Sequence, residues 1–285
     1  MRLIRATSAF LAGVLLSLQL IAMARPANGW DETYRGRPIM LQGARLVYAE
    51  DFKVPIDLRG PILWAGQHAD FGGARFDQSG GYAYGQRDGV LALRAYRGPN
   101  GVRGANVQST SAKQAYQGKA IVSGKRGFTC AGCYWEARIR FPRSRGTWGG
   151  FWLLTADNPR RRGHLEVDVI EYYGLGDAKG HHHSLHTWST PEQGGHRKFG
   201  DYTGMDAITD FDWHRYAVDL RGQASLGGRP AAVIFVDGLE VARIAADQAF
   251  FEKPFYFLLT ATITQNAQSP SLPQEVLVDY VKSFK

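Results

Sequence analysis

The chain has 285 residues, of which 44% are hydrophobic and 21% are charged, and its formal net charge at pH 7 is +8. This length is enough for one domain with a sizeable core, and all-β sandwiches of roughly 200–250 residues commonly stay undivided. A nucleic-acid-binding surface would carry several basic clusters and a recognisable module, which this sequence lacks, so we expect no nucleic-acid partner.

The N-terminal residues have the pattern of a signal peptide. Arg2 and Arg5 precede an apolar run over residues 9–22, and Ala-Met-Ala at 22–24 ends that run with the small residues that a signal peptidase reads. The run is too short for a secure membrane span, and no second run of about 20 apolar residues follows. We therefore expect residues 1–24 to be removed, leaving an exported protein, secreted or periplasmic, with no stable membrane span.

The rest of the chain is predicted to be all-β. Residues 25–40 form a lead-in that contains Pro and Gly, and residues 41–285 are expected to form one domain. Regular spacing of short β-rich runs, bounded by Gly, Pro, Asn and Asp, predicts a sandwich or a barrel. The clearest runs cover residues 90–95, 134–141, 150–155, 165–172, 183–188, 214–220, 232–236, 254–262 and 275–284.

Turn residues refine this prediction. Asp237-Gly238 stands between two apolar runs and predicts a two-residue hairpin, because a type I′ turn needs positive φ at both central positions. A single turn of helix is expected at residues 206–211 or 247–251.

The two cysteines, Cys130 and Cys133, form a Cys-x-x-Cys pair. In an exported protein this spacing favours a short-range disulfide, with a pair of reduced thiols as the alternative. A zinc site would need two further ligands at motif spacing, and none is found.

Residues 160–162 are three consecutive arginines that precede an acidic strand. A solvated surface loop is one interpretation of this cluster. The other is a rim that attracts an anionic polysaccharide.

The acidic strand itself, residues 166–171, has the sequence Glu-Val-Asp-Val-Ile-Glu. Strict alternation sends Glu166 and Asp168 to one face but places Glu171 with the valines on the other. A β-bulge in which Val169 and Ile170 together oppose one residue of the neighbouring strand returns Glu171 to the acidic face. A helix would leave Glu166 and Glu171 about 140° apart and is excluded.

Paired carboxylates on one face suit the cleavage of glycosidic bonds, in which one carboxylate attacks the anomeric carbon and a second acid protonates the departing oxygen. Between Glu166 and Glu171, Asp168 would orient the nucleophile and, through charge repulsion, keep the acid/base protonated. The alternative is an acidic strand face that is merely solvated.

Several segments around this strand resemble glycoside hydrolase family 16, the β-glucanase and laminarinase group, over nearly all of the mature sequence. The resemblance rests on six segments in the family's order: residues 133–142, 146–154, 166–171, 213–219, 236–238 and 278–282. The spacing Glu-x-Asp-x-x-Glu is similar to the bulged laminarinase, agarase and carrageenase branches rather than to the unbulged lichenase branch.

The resemblance implies a concanavalin A-like jelly-roll β-sandwich of two antiparallel sheets, with the substrate lying across a concave face. It implies that Glu166 is the nucleophile, Asp168 the assisting carboxylate and Glu171 the acid/base. The chain departs from the family's pattern at Gly149-Gly150, where Pro-Ala is frequent, and at Thr260, where Asn is frequent. The histidine run at residues 181–183 and the Cys-x-x-Cys pair are further departures.

Aromatic residues near the acids are candidate sugar-binding residues. Trp148 and Trp152 share a strand face, with Gly150 between them leaving room for a ring to lie flat, and each has a core role as its alternative. Trp152 is the stronger candidate because it lies beside the predicted catalytic strand. His186 and Trp188 share a face on the next strand, where His186 would hydrogen-bond Glu171 or a sugar hydroxyl, the alternative being a packed histidine.

Metal binding is considered at two places. Adjacent strand residues point to opposite faces, so His181, His182 and His183 cannot converge on one ion in a regular strand. Asp279 matches a position at which some family members hold a structural calcium ion, and oxygen ligation suits calcium. We expect no cofactor to be required for catalysis.

The sequence as a whole predicts an exported, monomeric, retaining endo-β-glycanase. Its expected partner is a polysaccharide: a β-glucan, a galactan or an exopolysaccharide. A transglycosylase with the same carboxylates, and a non-catalytic polysaccharide-binding or structural envelope protein on the same fold, are the alternatives.

Overall fold

The structure is a computed structural model that describes residues 36–58, 63–65, 68, 70–110, 127–156, 164–175, 177, 180–189, 195–199, 211–267 and 270–285. The predicted signal peptide, the three arginines at 160–162 and most of the first candidate helical turn lie outside these residues.

The described residues form seventeen strands and one short helix. The strands are β1 (Leu46–Glu50), β2 (Trp64–Ala65), β3 (Arg75–Phe76), β4 (Tyr84–Arg87), β5 (Val90–Gly98), β6 (Gly101–Gln108), β7 (Tyr134–Arg140), β8 (Arg145–Thr155), β9 (His164–Gly174), β10 (His181–Trp188), β11 (Arg197–Phe199), β12 (His214–Asp219), β13 (Ser225–Leu226), β14 (Arg229–Val236), β15 (Leu239–Ala245), β16 (Phe255–Ile263) and β17 (Gln274–Phe284), and the helix is α1 (Ala249–Glu252). Within this part of the chain, no helix has the length and hydropathy of a membrane span.

The strands build two antiparallel sheets, as the sequence predicts. The first sheet has the order β4-β5-β17-β7-β12-β14-β15, with β1 also paired to β17. The second has the order β2-β6-β16-β8-β9-β10-β11. The β5–β6 hairpin carries the chain from one sheet to the other, and β3 adds a short parallel pair beside it.

The core lies between the facing surfaces of the two sheets. Apolar residues at alternate positions fill it, because a strand that buries one face must place its apolar side chains two residues apart. The second sheet contributes Phe151, Leu153, Val167, Phe257 and Leu259, and the first contributes Leu91, Leu93, Trp135, Ile139 and Val278, all fully or almost fully buried. Each such side chain stabilises the fold by about 1.5–3 kcal/mol.

Three local predictions are confirmed. Asp237 and Gly238 have φ of 51° and 82°, and they connect β14 to β15 as a two-residue hairpin. The second candidate helical turn, residues 247–251, overlaps α1. Cys130 and Cys133 form a disulfide, with their Cα atoms 6.0 Å apart.

The end of the lead-in lies along strand β15. The backbone N–H of Gly36 donates to the carbonyl of Glu240, and the N–H of Glu240 donates to the carbonyl of Arg37. Ile39 and Leu41 pack on an apolar cluster on the outer face of the first sheet, made by Tyr134, Ala217, Val233 and Phe235. This segment therefore contacts the domain rather than leading away from it.

The three consecutive histidines alternate across β10. His181 and His183 are buried, at 1% and 0% exposure, and the Nδ1–H of His183 donates to the carbonyl of Val169 at 2.5 Å. Between them, His182 places Nε2 2.6 Å from the carboxylate of Asp177. The run therefore divides its side chains between the two sides of the sheet.

Acidification should destabilise the fold through the two buried histidines. Burial lowers the pKa of His183 to about 4 and lowers the pKa of His181 well below its ordinary value. Because the unfolded chain binds more protons below about pH 6.5, stability falls as the pH drops below 6.5, for His183 down to about pH 4, by at most about 1.4 kcal/mol per pH unit for each histidine.

The variant His181→Phe tests this, since Phe141, Tyr172 and Tyr216 already surround the ring. Urea unfolding between pH 4 and 7 should show a shallower pH dependence than in the wild type. An unchanged slope would contradict the assignment.

Candidate active site

A β-bulge in β9 determines the direction of its side chains. Glu171 pairs with His182 of β10 and Asp168 pairs with Ser184, so Val169 and Ile170 together oppose His183. On the other side of the strand, the register against β8 shifts at the same place. The bulge is the one that the sequence predicts.

This bulge places all three acids on the outer face of the second sheet. Leu165, Val167, Val169, Ile170 and Tyr172 belong to the core between the sheets. The acids point the other way, into a cleft with a volume of about 350 Å³. The cleft is lined by His68, Asp70, Phe71, Trp148, Gly150, Trp152, Glu166, Asp168, Glu171, Tyr173, His186, Trp188, Lys198 and Thr260.

The carboxyl group of Glu171 is fixed by two neighbouring side chains. Its Oε1 accepts two hydrogen bonds, from the indole N–H of Trp148 at 3.0 Å and from the hydroxyl of Tyr173 at 2.9 Å. Burial and then the charge of Asp168 raise the pKa of Glu171 to about 8, against the opposing effect of these two donors and of Lys198. Because both donors occupy Oε1, the proton at neutral pH resides on Oε2.

Glu166 lies at the other end of the acidic row. Burial, followed by the charges of Asp168 and Glu171, raises its pKa well above the ordinary value, while a hydrogen bond with the side chain of Trp188 lowers it. A proton on Glu171 removes one of the two neighbouring charges and so favours ionisation of Glu166. Repulsion along the row therefore favours a state in which one of the two glutamates is neutral and the other is ionised.

Asp168 is the most buried of the three, at 5% exposure. Its Oδ2 accepts a hydrogen bond from the hydroxyl of Ser184 at 2.7 Å and lies 3.0 Å from Nε2 of His186. Among the described residues, Glu166, Asp168 and His186 form the group whose ligand atoms are close enough to hold a metal ion, within 4.8 Å of one another.

The position of His186 corrects one expectation. The sequence suggested a hydrogen bond from His186 to Glu171 or to a sugar hydroxyl; the imidazole contacts Asp168 and Ser184 rather than Glu171, and the sugar contact stays a prediction. The register gives the reason, because His186 pairs with Glu166, whereas Glu171 pairs with His182 four residues earlier in β10.

The candidate sugar-binding tryptophans all line the cleft. Trp152 is 7% exposed and packs edge-on against His68, with ring centroids 4.9 Å apart. Trp148 is more exposed and contacts Phe71, also at 4.9 Å. The hydrogen bond of Trp148 to Glu171 gives it a second contribution that the sequence did not indicate.

Sequence reasoning missed several residues of the site, Asp70 and Lys198 among them. Tyr173 and Ser184 lie two residues from Glu171 and His186, so period-two alternation could have placed them on the same faces. His68, Phe71 and His196 come from segments without such a pattern, and no sequence signal pointed to them.

Asp279 does not offer a free carboxylate to calcium. Its Oδ2 accepts a hydrogen bond from the guanidinium of Arg138 at 2.7 Å. A calcium ion there would have to compete with that positive charge. The structure therefore gives the calcium hypothesis no support, and calcium binding stays a prediction.

Comparisons of sequence and of structure find β-glucanases that are similar to this chain. A β-glucanase of Rhodothermus marinus is 24% identical to this chain over 217 residues, covering 69% of this chain and 68% of the relative. A variant of LamA from Z. galactanivorans, solved in complex with laminaritriose and laminaritetraose, has a TM-score of 0.64 at 16% identity, covering 84% of this chain and 98% of that one. No protein-family model matches the chain.

A variant of SCLam, a non-specific endo-β-1,3(4)-glucanase from glycoside hydrolase family 16, also has a TM-score of 0.64 at 16% identity, covering 88% of this chain and 98% of that one. The chain thus has the β-sandwich fold of family 16 glucanases. The resemblance indicated by its sequence motifs is confirmed at the level of the fold.

Neutralising Glu171 should stabilise the protein at alkaline pH. Since the folded pKa of about 8 exceeds the unfolded value near 4.5, the folded state binds more protons in this window, and stability is lost as the pH rises from 4.5 to 8. Glu171→Gln should therefore raise the melting temperature at pH 8 and change it little at pH 4.5. At pH 8 the free energy of unfolding should increase by an amount of the order of 1–4 kcal/mol.

Glu275→Gln is the matched control. Ion pairs with Arg94 and Arg87 lower the pKa of Glu275, so this variant should be less stable than the wild type at pH 8. A Glu171→Gln variant that melts below the wild type at pH 8 would contradict the expected sign.

Proposed function

We propose that the protein is an exported retaining endo-β-glycanase that hydrolyses internal linkages of a β-glucan. One observation carries the proposal: the bulge aligns Glu166, Asp168 and Glu171 on one wall of a cleft, where burial and the charge of Asp168 raise the pKa of Glu171 to about 8. Protonated and ionised carboxyl groups facing one cavity are the two components that glycoside cleavage requires.

In the first step, Glu166 attacks the anomeric carbon and the bond to the leaving sugar breaks. Glu171 transfers its Oε2 proton to the departing oxygen, so one carboxylate is consumed as an ester while another is generated. In the second step, Glu171 takes a proton from water, the resulting hydroxide attacks the anomeric carbon, and Glu166 leaves as a carboxylate. Both residues return to their initial states.

Asp168 acts on the acid/base Glu171 and is itself held by two neighbouring side chains. Its negative charge raises the pKa of Glu171 and so favours the protonated acid in the resting enzyme. The hydroxyl of Ser184 and the imidazole of His186 hold its carboxylate in place. In this reaction the residues themselves move the proton, and no cofactor is needed.

The proposed substrate follows from the relatives. The proteins of like sequence and fold carry the names β-glucanase, laminarinase and endo-β-1,3(4)-glucanase. Trp148, Trp152 and Trp188 provide apolar faces in the cleft against which sugar C–H groups pack. A β-1,3-linked or mixed-linkage glucan is therefore the first candidate, with galactans and exopolysaccharides as the alternatives.

Export is part of the proposal and rests on the sequence of residues 1–24. The disulfide between Cys130 and Cys133 is consistent with an oxidising compartment, secreted or periplasmic. A purely binding protein on this fold would have no use for a buried acid that retains its proton, which disfavours the non-catalytic alternative.

The mature protein should release reducing ends from laminarin or lichenan. Glu166→Gln and Glu171→Gln should each lower kcat by a factor of the order of 10³ or more, because each removes a group that forms or breaks a covalent bond in the reaction. Reducing-sugar assays against laminarin, lichenan, agarose, carrageenan and bacterial exopolysaccharides measure this, with circular dichroism as the folding control.

Added azide distinguishes the nucleophile from the acid/base. With an aryl β-glycoside, Glu166→Gly should give the inverted glycosyl azide and Glu171→Gly the retained one, since azide replaces the nucleophile in the first case and water in the second. Unimpaired hydrolysis by either carboxamide variant would refute the assignment. Product analysis with an added acceptor sugar distinguishes hydrolysis from transglycosylation.

Asp168→Asn should reduce activity less than Glu166→Gln or Glu171→Gln does. It should also move the alkaline limb of the kcat/KM profile to lower pH. The carboxylate of Asp168 raises the pKa of Glu171, so removing its charge lets Glu171 lose its proton earlier. Asp247→Asn, on the protein surface and paired with Arg197 and Arg229, is the control and should leave the profile in place. An alkaline limb that shifts upward would contradict the expected charge effect.

A further inference from the structure

We propose that His196, which precedes β11, is a positioning residue that fixes the proton arrangement of His186 and through it the orientation of Asp168. This inference rests on the proposed function and extends it to a residue outside the acidic strand.

His196 contacts two residues of the site from the solvent side. Its Nε2 lies 2.7 Å from Nδ1 of His186, although His196 itself is exposed. Its ring stacks on the indole of Trp188, with centroids 3.9 Å apart and an interplanar angle of 14°. The hydroxyl of Ser189 donates to the carbonyl of Gly195 at 2.6 Å, which links the end of β10 to the residue before His196.

The directions of the hydrogen bonds that join His196, His186 and Asp168 follow from the carboxylate of Asp168. An ionised Asp168 only accepts hydrogen bonds, so His186 must carry a proton on Nε2 to donate to it. A neutral His186 then has a bare Nδ1, which must accept. The short contact to His196 is therefore a hydrogen bond donated by Nε2–H of His196.

The alternative tautomer of His186 would disrupt the site. With the proton on Nδ1, the bare Nε2 would face the carboxylate of Asp168, and two acceptors would oppose each other. A donor at His196 disfavours that tautomer, as the outer hydrogen bond of an imidazole generally selects which nitrogen carries the proton. His196 thus keeps Asp168 bonded and placed between the two glutamates.

The contact with Trp188 has a related effect. Trp188 forms a side-chain hydrogen bond that favours the ionised form of Glu166. Stacking of His196 on this indole holds it in the cleft wall. One exposed imidazole therefore supports both the assisting carboxylate and a tryptophan that contacts the nucleophile.

Two substitutions separate these contacts. His196→Phe keeps an aromatic ring on Trp188 but removes the N–H donor, whereas His196→Gln keeps an N–H donor without the ring. Arg197→Ala is the matched control, because Arg197 is the next residue, is exposed, and pairs with Asp247 on the surface. The measurements are kcat and KM on laminarin, and ¹⁵N NMR of histidine-labelled protein to determine which nitrogen of His186 is protonated.

We expect His196→Phe to lower kcat about tenfold with KM within about twofold of the wild type, and His196→Gln to restore kcat to within about threefold. The ¹⁵N signals should show Nε2–H at His186 in the wild type, His196→Gln and Arg197→Ala, and a mixture of tautomers in His196→Phe. Equal kcat in His196→Phe and the wild type, an unchanged tautomer in His196→Phe, or a loss confined to KM would each overturn the proposal.

The NMR readout does not depend on turnover. Failure of the proposed function can therefore be distinguished from failure of the inference about His196. If the wild type cleaves none of the polysaccharides, the proposed function fails, while the tautomer of His186 still reports on His196. If the wild type cleaves laminarin and the His196 variants match it in rate and tautomer, only the inference about His196 fails.

Discussion

The whole site depends on electrostatic repulsion among three carboxyl groups that share one strand face. A regular strand would bury one of them in the core, where a charged group is costly to place. The extra residue at Val169 and Ile170 removes that cost by turning Glu171 outward. It also places Glu171 near Asp168, whose charge adds to the effect of burial in raising the pKa of both glutamates, so the same irregularity shapes the strand and favours a neutral acid.

One side of β9 must be apolar to pack in the core, and the other must be polar to hold the acids in the cleft. The β-sandwich provides both environments. Toward the first sheet, Val167 and Val169 are fully buried and hold the strand in register. Toward the cleft, hydrogen bonds from Trp148, Tyr173 and Ser184 hold the acids against their mutual repulsion. The rigid apolar side fixes the backbone, and the polar side fixes the orientation of carboxyl groups that repel one another, at some cost in stability.

The sequence was sufficient for features that arise from local pattern. Period-two alternation and three acids predicted the bulge, and Asp237-Gly238 predicted its hairpin, because both depend on residues adjacent in the chain. Glu171 was wrong as the protein partner of His186, because that partner depends on the register between β9 and β10, which neither strand specifies alone. The stacking of His196 joins residues that are distant from the acidic strand in the sequence, and no residue pattern indicates it.

The segment that precedes the first strand has a consequence for solubility. β15 ends the order of the first sheet, and the outer strand of a sheet exposes backbone groups to which a strand of another molecule could pair. The backbone of Gly36, Arg37 and Ile39 already bonds to the Gly238–Glu240 end of that strand. Residues 36–39 thus cap part of a surface that would otherwise favour aggregation, and trimming them would expose it.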